Sequence, residues 1–232
     1  MKAFPPKERQ GVYRAILSRR DVRAFRPDPV PPVLLARLLH AAHHGPSVGF
    51  MQPWNFIVIT DTAVKQRVHA MVTREKESAA SDFQGERRDV YRSLKLDGIL
   101  EAPINLCVTC DPTRFDPGVI GRHTIRETDF FSVCCAIENL WLAARAEGLG
   151  VGWVSLLRTE ELCELLAIPQ PIVPVAYLCI GYPVGFTDRP LLETIGWAPR
   201  LDLAELISMN IWGGREGMAD LVGHLGEGGM LK

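Results

Sequence analysis

Residues Asp129 to Gly148 read DFFSVCCAIENLWLAARAEG. Wound as a helix, the stretch puts apolar side chains nearly all round: Phe130, Phe131, Val133, Ala136, Ile137, Leu140, Trp141 and Leu142. A helix with so little polar face belongs in a core or in a subunit interface. Gly148 and Gly150 end it. Beyond it, Val151 to Leu156 and Val173 to Ile180 read as strands, separated by a short helix over Thr159 to Leu166. Before it, Asn55 to Thr60 and Ile104 to Cys110 are strands. Asp61 can cap a helix that runs to about Met71. Pro31 and Pro32 suit the entry of an earlier helix with Val33, Leu34, Leu35, Leu38 and Leu39 as its apolar face, stopping near Gly45-Pro46. Residues 7–18 form a first short helix. Mixed helices and strands, without internal repeat or composition shift, predict one α+β domain over residues 1–232.

Two regions stand apart from this pattern. Residues 73–98 are rich in Glu, Arg, Lys, Ser and Asp, and form either a mobile lid or a solvated helix. From about residue 203 to 232 runs a C-terminal arm with Ile211-Trp212-Gly213-Gly214 and glycines at 217, 223, 226, 228 and 229. So much glycine requires a partner surface for order.

The chain has 232 residues, 47% hydrophobic and 23% charged, with a formal net charge of −1. That balance gives no broad electrostatic footprint for nucleic acid or an anionic membrane. Apolar runs are interrupted well short of a membrane span. The opening Met1-Lys2-Ala3-Phe4-Pro5-Pro6 has no apolar signal-peptide core, so no secretory signal is expected. Six cysteines lie in apolar runs. Cys107 and Cys110 make a C-x-x-C whose odd spacing would set them on opposite faces of a strand. No second C-x-x-C or nearby His pair completes a zinc site. Reduced, structural cysteines, a cytoplasmic location and no metal are the expectations.

No G-x-G-x-x-G follows a strand, and no P-loop, G-x-S-x-G or H-E-x-x-H occurs. His43-His44 at a helix end suits a charge–dipole or solvent role. Four segments carry chemistry. In Arg19-Arg20-Asp21-Val22-Arg23, three guanidinium forks suit phosphate, while the carboxylate works against anion binding unless it has a task of its own. The loop from Pro46 to Phe56 (PSVGFMQPWNF) offers apolar groups to a flat ligand and amides to its edge, or is simply a loop packed by Trp54. Gly150-Val151-Gly152-Trp153-Val154-Ser155-Leu156-Leu157-Arg158 is the third segment and Pro199-Arg200-Leu201 the fourth.

Together these segments resemble the FMN-binding nitroreductase superfamily from about residue 11 to 202. The wording Gly-Pro-Ser-Val-Gly-Phe-Met-Gln-Pro-Trp-Asn-Phe, Tyr91 to Leu96, Val173 to Cys179, and Gly196-Trp197 is similar to the branch that makes 5,6-dimethylbenzimidazole from reduced FMN. Asp21 points the same way, since ordinary members more often carry Ser there. The resemblance implies an α/β sandwich with a mostly antiparallel central sheet flanked by helices, and an intertwined homodimer with FMN at its interface. Arg19 and Arg200 would hold the FMN phosphate with help from Arg20, and Arg23 would face the pyrimidine end. Ser47, Gln52, Pro53 and Asn55 would line the site, partly from the second subunit. Leu96 would close over the flavin, and the backbone at Leu156 and Leu157 would meet its N5 edge. Many nitroreductases have Glu where this chain has Leu157. FMN would be substrate: reduced FMN and O₂, with a separate flavin reductase supplying the former, yield dimethylbenzimidazole for the lower ligand of cobalamin and erythrose 4-phosphate. Asp21 would accept or shuttle protons, or else serve as an ion pair that positions Arg20 or Arg23. Ser155 would orient the oxygen species or the ribityl chain. The alternatives are an NAD(P)H-dependent nitroreductase or dehalogenase that recycles FMN, and a flavin carrier without turnover.

Overall fold

Four strands carry the fold in a computed structural model that describes residues 2–225. They are β1 (Trp54–Ile59), β2 (Ile104–Cys110), β3 (Gly150–Val154) and β4 (Val173–Gly181), in the order β1-β2-β4-β3, each neighbouring pair antiparallel. β2 is buried along its whole length because both faces of the sheet are covered. Ile104, Leu106, Val108 and Cys110 enter one core, and Cys107 enters the other. The C-x-x-C thus divides between opposite faces, as strand periodicity requires. Burial pushes the Cys107 and Cys110 thiols up to about 12 each.

After α1 (Pro6–Ser18), which falls in the other unit described below, the helices of the sheet-bearing body are α2 (Pro32–His43), α3 (Thr62–Ala79), α4 (Gly85–Ser93), α5 (Thr128–Ala146) and α6 (Thr159–Leu166). Leu38 and Ala42 of α2 pack with Val133, Ala136, Ile137, Leu140 and Ala144 of α5 on the first face. Val68, Met71 and Val72 of α3 and Leu162 of α6 cover the second, joined by Val22 and Phe25. The outcome is a helix–sheet–helix sandwich. α5 buries only one side: Phe131 is 57% exposed, and Cys134 and Cys135 are also on the surface.

Local signals explain most boundaries. Asp61 Oδ1 accepts from the N–H groups of Ala63 at 2.7 Å and Val64 at 3.0 Å, an N-cap worth about 1 kcal/mol. α3 continues to Ala79, well past Met71. Residues 73–79 contain no Gly or Pro and consist largely of good helix formers, so nothing stops the helix. A 3₁₀ turn (Ala80–Asp82) and α4 fill much of the remaining polar region.

The chain forms two compact units: residues 18–186, which hold the sheet, and the described residues of 1–17 and 187–232. The second unit includes α7 (Leu191–Thr194) and α8 (Ala219–Leu225). Asp202 caps a 3₁₀ turn over Leu203–Leu206, Arg215 Nη1 donates to Ala204 O at 2.8 Å, and Met209 N donates to Gly214 O at 2.8 Å. Local hydrogen bonds therefore order much of the arm, although Trp212 is 99% exposed. Gly226, Gly228 and Gly229 lie outside the described residues. Among the described residues, no helix is long and apolar enough to cross a membrane.

Candidate active site

Edge strand β3 organises the arginine-rich segment. Val22 N donates to Val151 O at 2.9 Å, and Asp21 forms an isolated parallel bridge with Val151. Gly150 and Gly152 permit this approach. A Cβ on Gly152 would stand 2.1 Å from the Val22 carbonyl oxygen, and one on Gly150 would stand 2.8 Å from Val22 Cγ2. Both distances are inside van der Waals contact, so Gly-Val-Gly serves the segment that crosses it.

Asp21 Oδ1 accepts from Trp153 N at 2.9 Å, while Oδ2 accepts from Arg23 Nη2. Arg23 Nη2 also donates to Trp153 O at 2.6 Å. Burial raises the Asp21 carboxyl pKa above its ordinary value, outweighing Arg23, the Trp153 N–H and Arg19, which all favour the anion. Yet 43% of the side-chain surface remains accessible, so the carboxyl borders open space. Trp153, tied to Asp21 through its backbone, is a site member that strand patterning alone did not mark.

Two donors beside Asp21 lack acceptors. Arg23 Nη1 and Arg19 Nε are buried with no hydrogen-bond acceptor among the described residues. The Glu138 carboxylate, 3.6 Å from Arg19 Nε, is beyond hydrogen-bond range. The Arg19 guanidinium lies over the Trp141 ring, 5.1 Å from its centroid. Arg20 Nη1 donates to Arg19 O at 2.6 Å. Buried orphan donors are costly, and these would be satisfied by a ligand rich in acceptors, such as a phosphate or a flavin edge. Ser155, exposed, and Leu156 and Leu157, packed partly on the second core, follow directly from β3.

A second group gathers at the start of β1. Ser47 Oγ accepts from Gln52 N at 3.1 Å, and Ser132 Oγ accepts from Val48 N at 3.0 Å. Pro53 is buried, and its carbonyl accepts from Asp111 N at 2.7 Å. Trp54 is 4% exposed, with Nε1 donating to His43 Nδ1 at 3.1 Å, so it does pack the loop. Arg114 Nη1 donates to the carbonyls of Gln52 and, at 3.1 Å, of Trp54, and Nη2 donates to Asn55 Oδ1 at 2.7 Å. A cavity of about 450 Å³ lies against His43, Gln52, Asn55, Arg114 and Phe115. Sequence reasoning passed over Arg114, whose partners are distant in the chain and whose neighbours form no motif.

Leu96 lines a separate cavity of about 340 Å³ between α3 and residues 95–101, where His69 Nδ1 meets Asp97 Oδ1 at 3.2 Å. Arg200 is exposed and belongs to the other unit. Among the described residues, no group of three or more His, Cys, Asp or Glu could hold a metal ion.

The Asp21 group and the Asn55 group occupy opposite edges and different ends of the sheet: Val151 and Trp153 beside Asp21 are level with Ile180 and Leu178, whereas Asn55 is level with Thr109 and Pro174. Three strand spacings, about 14 Å, separate β3 from β1. One copy of the sheet-bearing unit therefore does not bring them together.

The nitroreductase family model matches residues 16–182. The chain belongs to the nitroreductase family. Within that family it is 44% identical over 197 residues to a 5,6-dimethylbenzimidazole synthase of Rhodospirillum rubrum, covering 85% of this chain and 93% of that protein. A 5,6-dimethylbenzimidazole synthase of Rhodobacter capsulatus is 39% identical over 201 residues, covering 85% and 96%. A solved nitroreductase-fold protein, iodotyrosine deiodinase bound to FMN and 3-iodo-L-tyrosine, superposes with a TM-score of 0.69 at 22% identity, over 86% of this chain and 99% of that one. The sandwich expected from the sequence is thus the family's fold.

Proposed function

We propose that this nitroreductase-family chain converts reduced FMN and O₂ into 5,6-dimethylbenzimidazole and erythrose 4-phosphate, with the pyrimidine portion of the flavin released as a separate fragment, as a cytoplasmic homodimer fed by a separate flavin reductase. The observation that carries this reading is a carboxylate, Asp21, bordering open space between arginines with orphan donors, in a chain 44% identical to such a synthase. Bound as substrate, reduced FMN supplies the electrons taken up by O₂ and the carbon skeleton of the product.

This chain's residues divide the work. Arg19, with Arg20, holds the phosphate, and its unsatisfied Nε is the donor available for it. The phosphate role of Arg200 rests on the resemblance alone. Arg23, whose Nη1 lacks an acceptor, would face the electron-rich end of the ring system, where a fixed cation stabilises negative charge. Asp21 takes up a proton at Oδ2 during ribityl cleavage, and its raised pKa suits a group that must both hold and release one. Ser155 orients O₂ or the ribityl chain. Ser47, Gln52, Pro53 and Asn55 would come partly from the partner copy, a reading supported by Asn55 of β1 lying on the sheet edge opposite β3, which Asp21 bridges.

The test is anaerobic mixing of the protein with reduced FMN, an air pulse, and product analysis. Dimethylbenzimidazole with consumption of FMN is expected from wild type and not from Asp21→Asn, which should still bind FMN. NAD(P)H oxidation with FMN recovered intact would instead identify a flavin-recycling reductase. Wild-type yield from Asp21→Asn would remove the acid–base role.

A further inference from the structure

We infer that Arg114 is a positioning residue that fixes Asn55 as a hydrogen-bond donor toward the flavin. This inference rests on the FMN reading above. Its first support is chemical. A guanidinium has donors and no acceptor. Since Arg114 Nη2 meets the Asn55 side chain at 2.7 Å, the atom it meets must be the amide oxygen. The amide nitrogen then faces away from Arg114. Thr109 Oγ1, at 3.4 Å, can take one of its two hydrogens, and only over a long bond. The remaining N–H is presented to an acceptor, and a flavin offers carbonyl oxygens and ring nitrogens.

The second support is the loop backbone. Phe50 and Gln52 have φ of 57° and 49°, in the left-handed region that non-glycine residues avoid. Such a conformation persists where surrounding contacts hold it. Arg114 supplies them, binding the carbonyls on either side of Pro53. Arg114 is itself held in place. Asp111 Oδ2 stands 3.7 Å from Nη2, Asp111 N donates to Pro53 O, and Asp111 Oδ1 accepts from Thr113 N at 2.9 Å. One guanidinium therefore ties together loop shape and amide orientation, on the wall of the 450 Å³ cavity at the β1 edge.

The experiment compares wild type, Arg114→Ala, Arg114→Lys and Asn55→Asp for FMN affinity by flavin fluorescence, for the flavin absorption band, and for thermal stability. Arg114→Ala should raise the FMN Kd about ten- to hundredfold, the scale of a lost charge-assisted network. Arg114→Lys, with a point charge in place of a fork, should recover part of this loss. Asn55→Asp keeps a partner for Arg114, and hence the loop, but removes the donor. It should weaken FMN binding comparably and shift the flavin band while leaving the melting temperature near wild type. Wild-type affinity in Asn55→Asp or in folded Arg114→Ala would overturn the inference, and if Arg114→Ala does not fold, Asn55→Asp decides. Product formation by wild type is assayed separately. The inference can fail while dimethylbenzimidazole is made, and it can stand if FMN binds as described but is not fragmented. Absence of FMN binding by wild type would overturn both.

Discussion

The raised pKa of Asp21 has a consequence for stability, because burial disfavours its anion more than Arg23, the Trp153 N–H and Arg19 favour it. The protonated form is then the one the fold prefers. That contribution is fully present below the ordinary carboxylate value and is lost as pH rises through the raised folded value. Asp21→Asn retains an oxygen for the Trp153 N–H and carries no charge. It should melt at or above the wild-type temperature at pH 7, with the gap closing below about pH 4. Melting curves across pH check this, and a clearly lower value at pH 7 would mean that the Arg23 pair outweighs desolvation. Gly152→Ala should act the other way. Its Cβ would meet the Val22 carbonyl at 2.1 Å, and overpacking of this kind costs about 1–3 kcal/mol in urea unfolding. Sequence alone picked out Gly150 and Gly152 as a motif but could not say why. Their neighbour, Val22, lies far away in the chain and arrives only through folding. Arg114 was illegible for the same reason, whereas Asp21 was conspicuous because its conflict with three arginines is local.

At the scale of elements, β2 and α6 match their expected limits because a short, mostly apolar run and a strong helical period are local properties. The polar stretch after Met71 was ambiguous because a solvated helix and a loop share a composition. As helix, it does a specific job. Arg158 Nε donates to Glu75 Oε1 at 2.7 Å, Arg74 pairs with Glu161, and Lys76 Nζ donates to the carbonyls of Leu94 and, at 3.0 Å, of Arg92. Residues 74–76 of α3 thus grip both the loop after β3 and the segment leading to Leu96. The Arg158 hydrogen bond leads the effects that hold the Glu75 carboxyl below its usual value. The clasp is therefore present above the ordinary Glu value and is lost as pH falls through the lower folded one. Glu75→Gln at pH 7 should speed amide hydrogen exchange at residues 155–158 with the sheet unaffected, and unchanged exchange there would show that the clasp is idle.

On the scale of the whole molecule, α5 was read from sequence as apolar nearly all round and bound for a core or an interface. The core takes only one side of the helix. Its inner face fills the first core, and Phe131 with Cys134 and Cys135 remain uncovered. Under the proposed reading, in which two copies complete each site, this face suits a second copy. Phe131→Asp should produce monomers in sedimentation velocity and abolish FMN binding. A dimeric variant with normal affinity would move the interface elsewhere.

The separation of β1 from β3 also has a genetic reading. If each pocket takes Asp21 from one chain and Asn55 with Arg114 from the other, two defective alleles can rescue one another. At FMN concentrations too low for Arg114→Ala to bind, Asp21→Asn and Arg114→Ala would assemble into mixed dimers in which one pocket collects both lesions and the other collects none. Random pairing of equal amounts makes half the dimers mixed, each with one of two pockets intact, so co-expression should restore about a quarter of wild-type turnover.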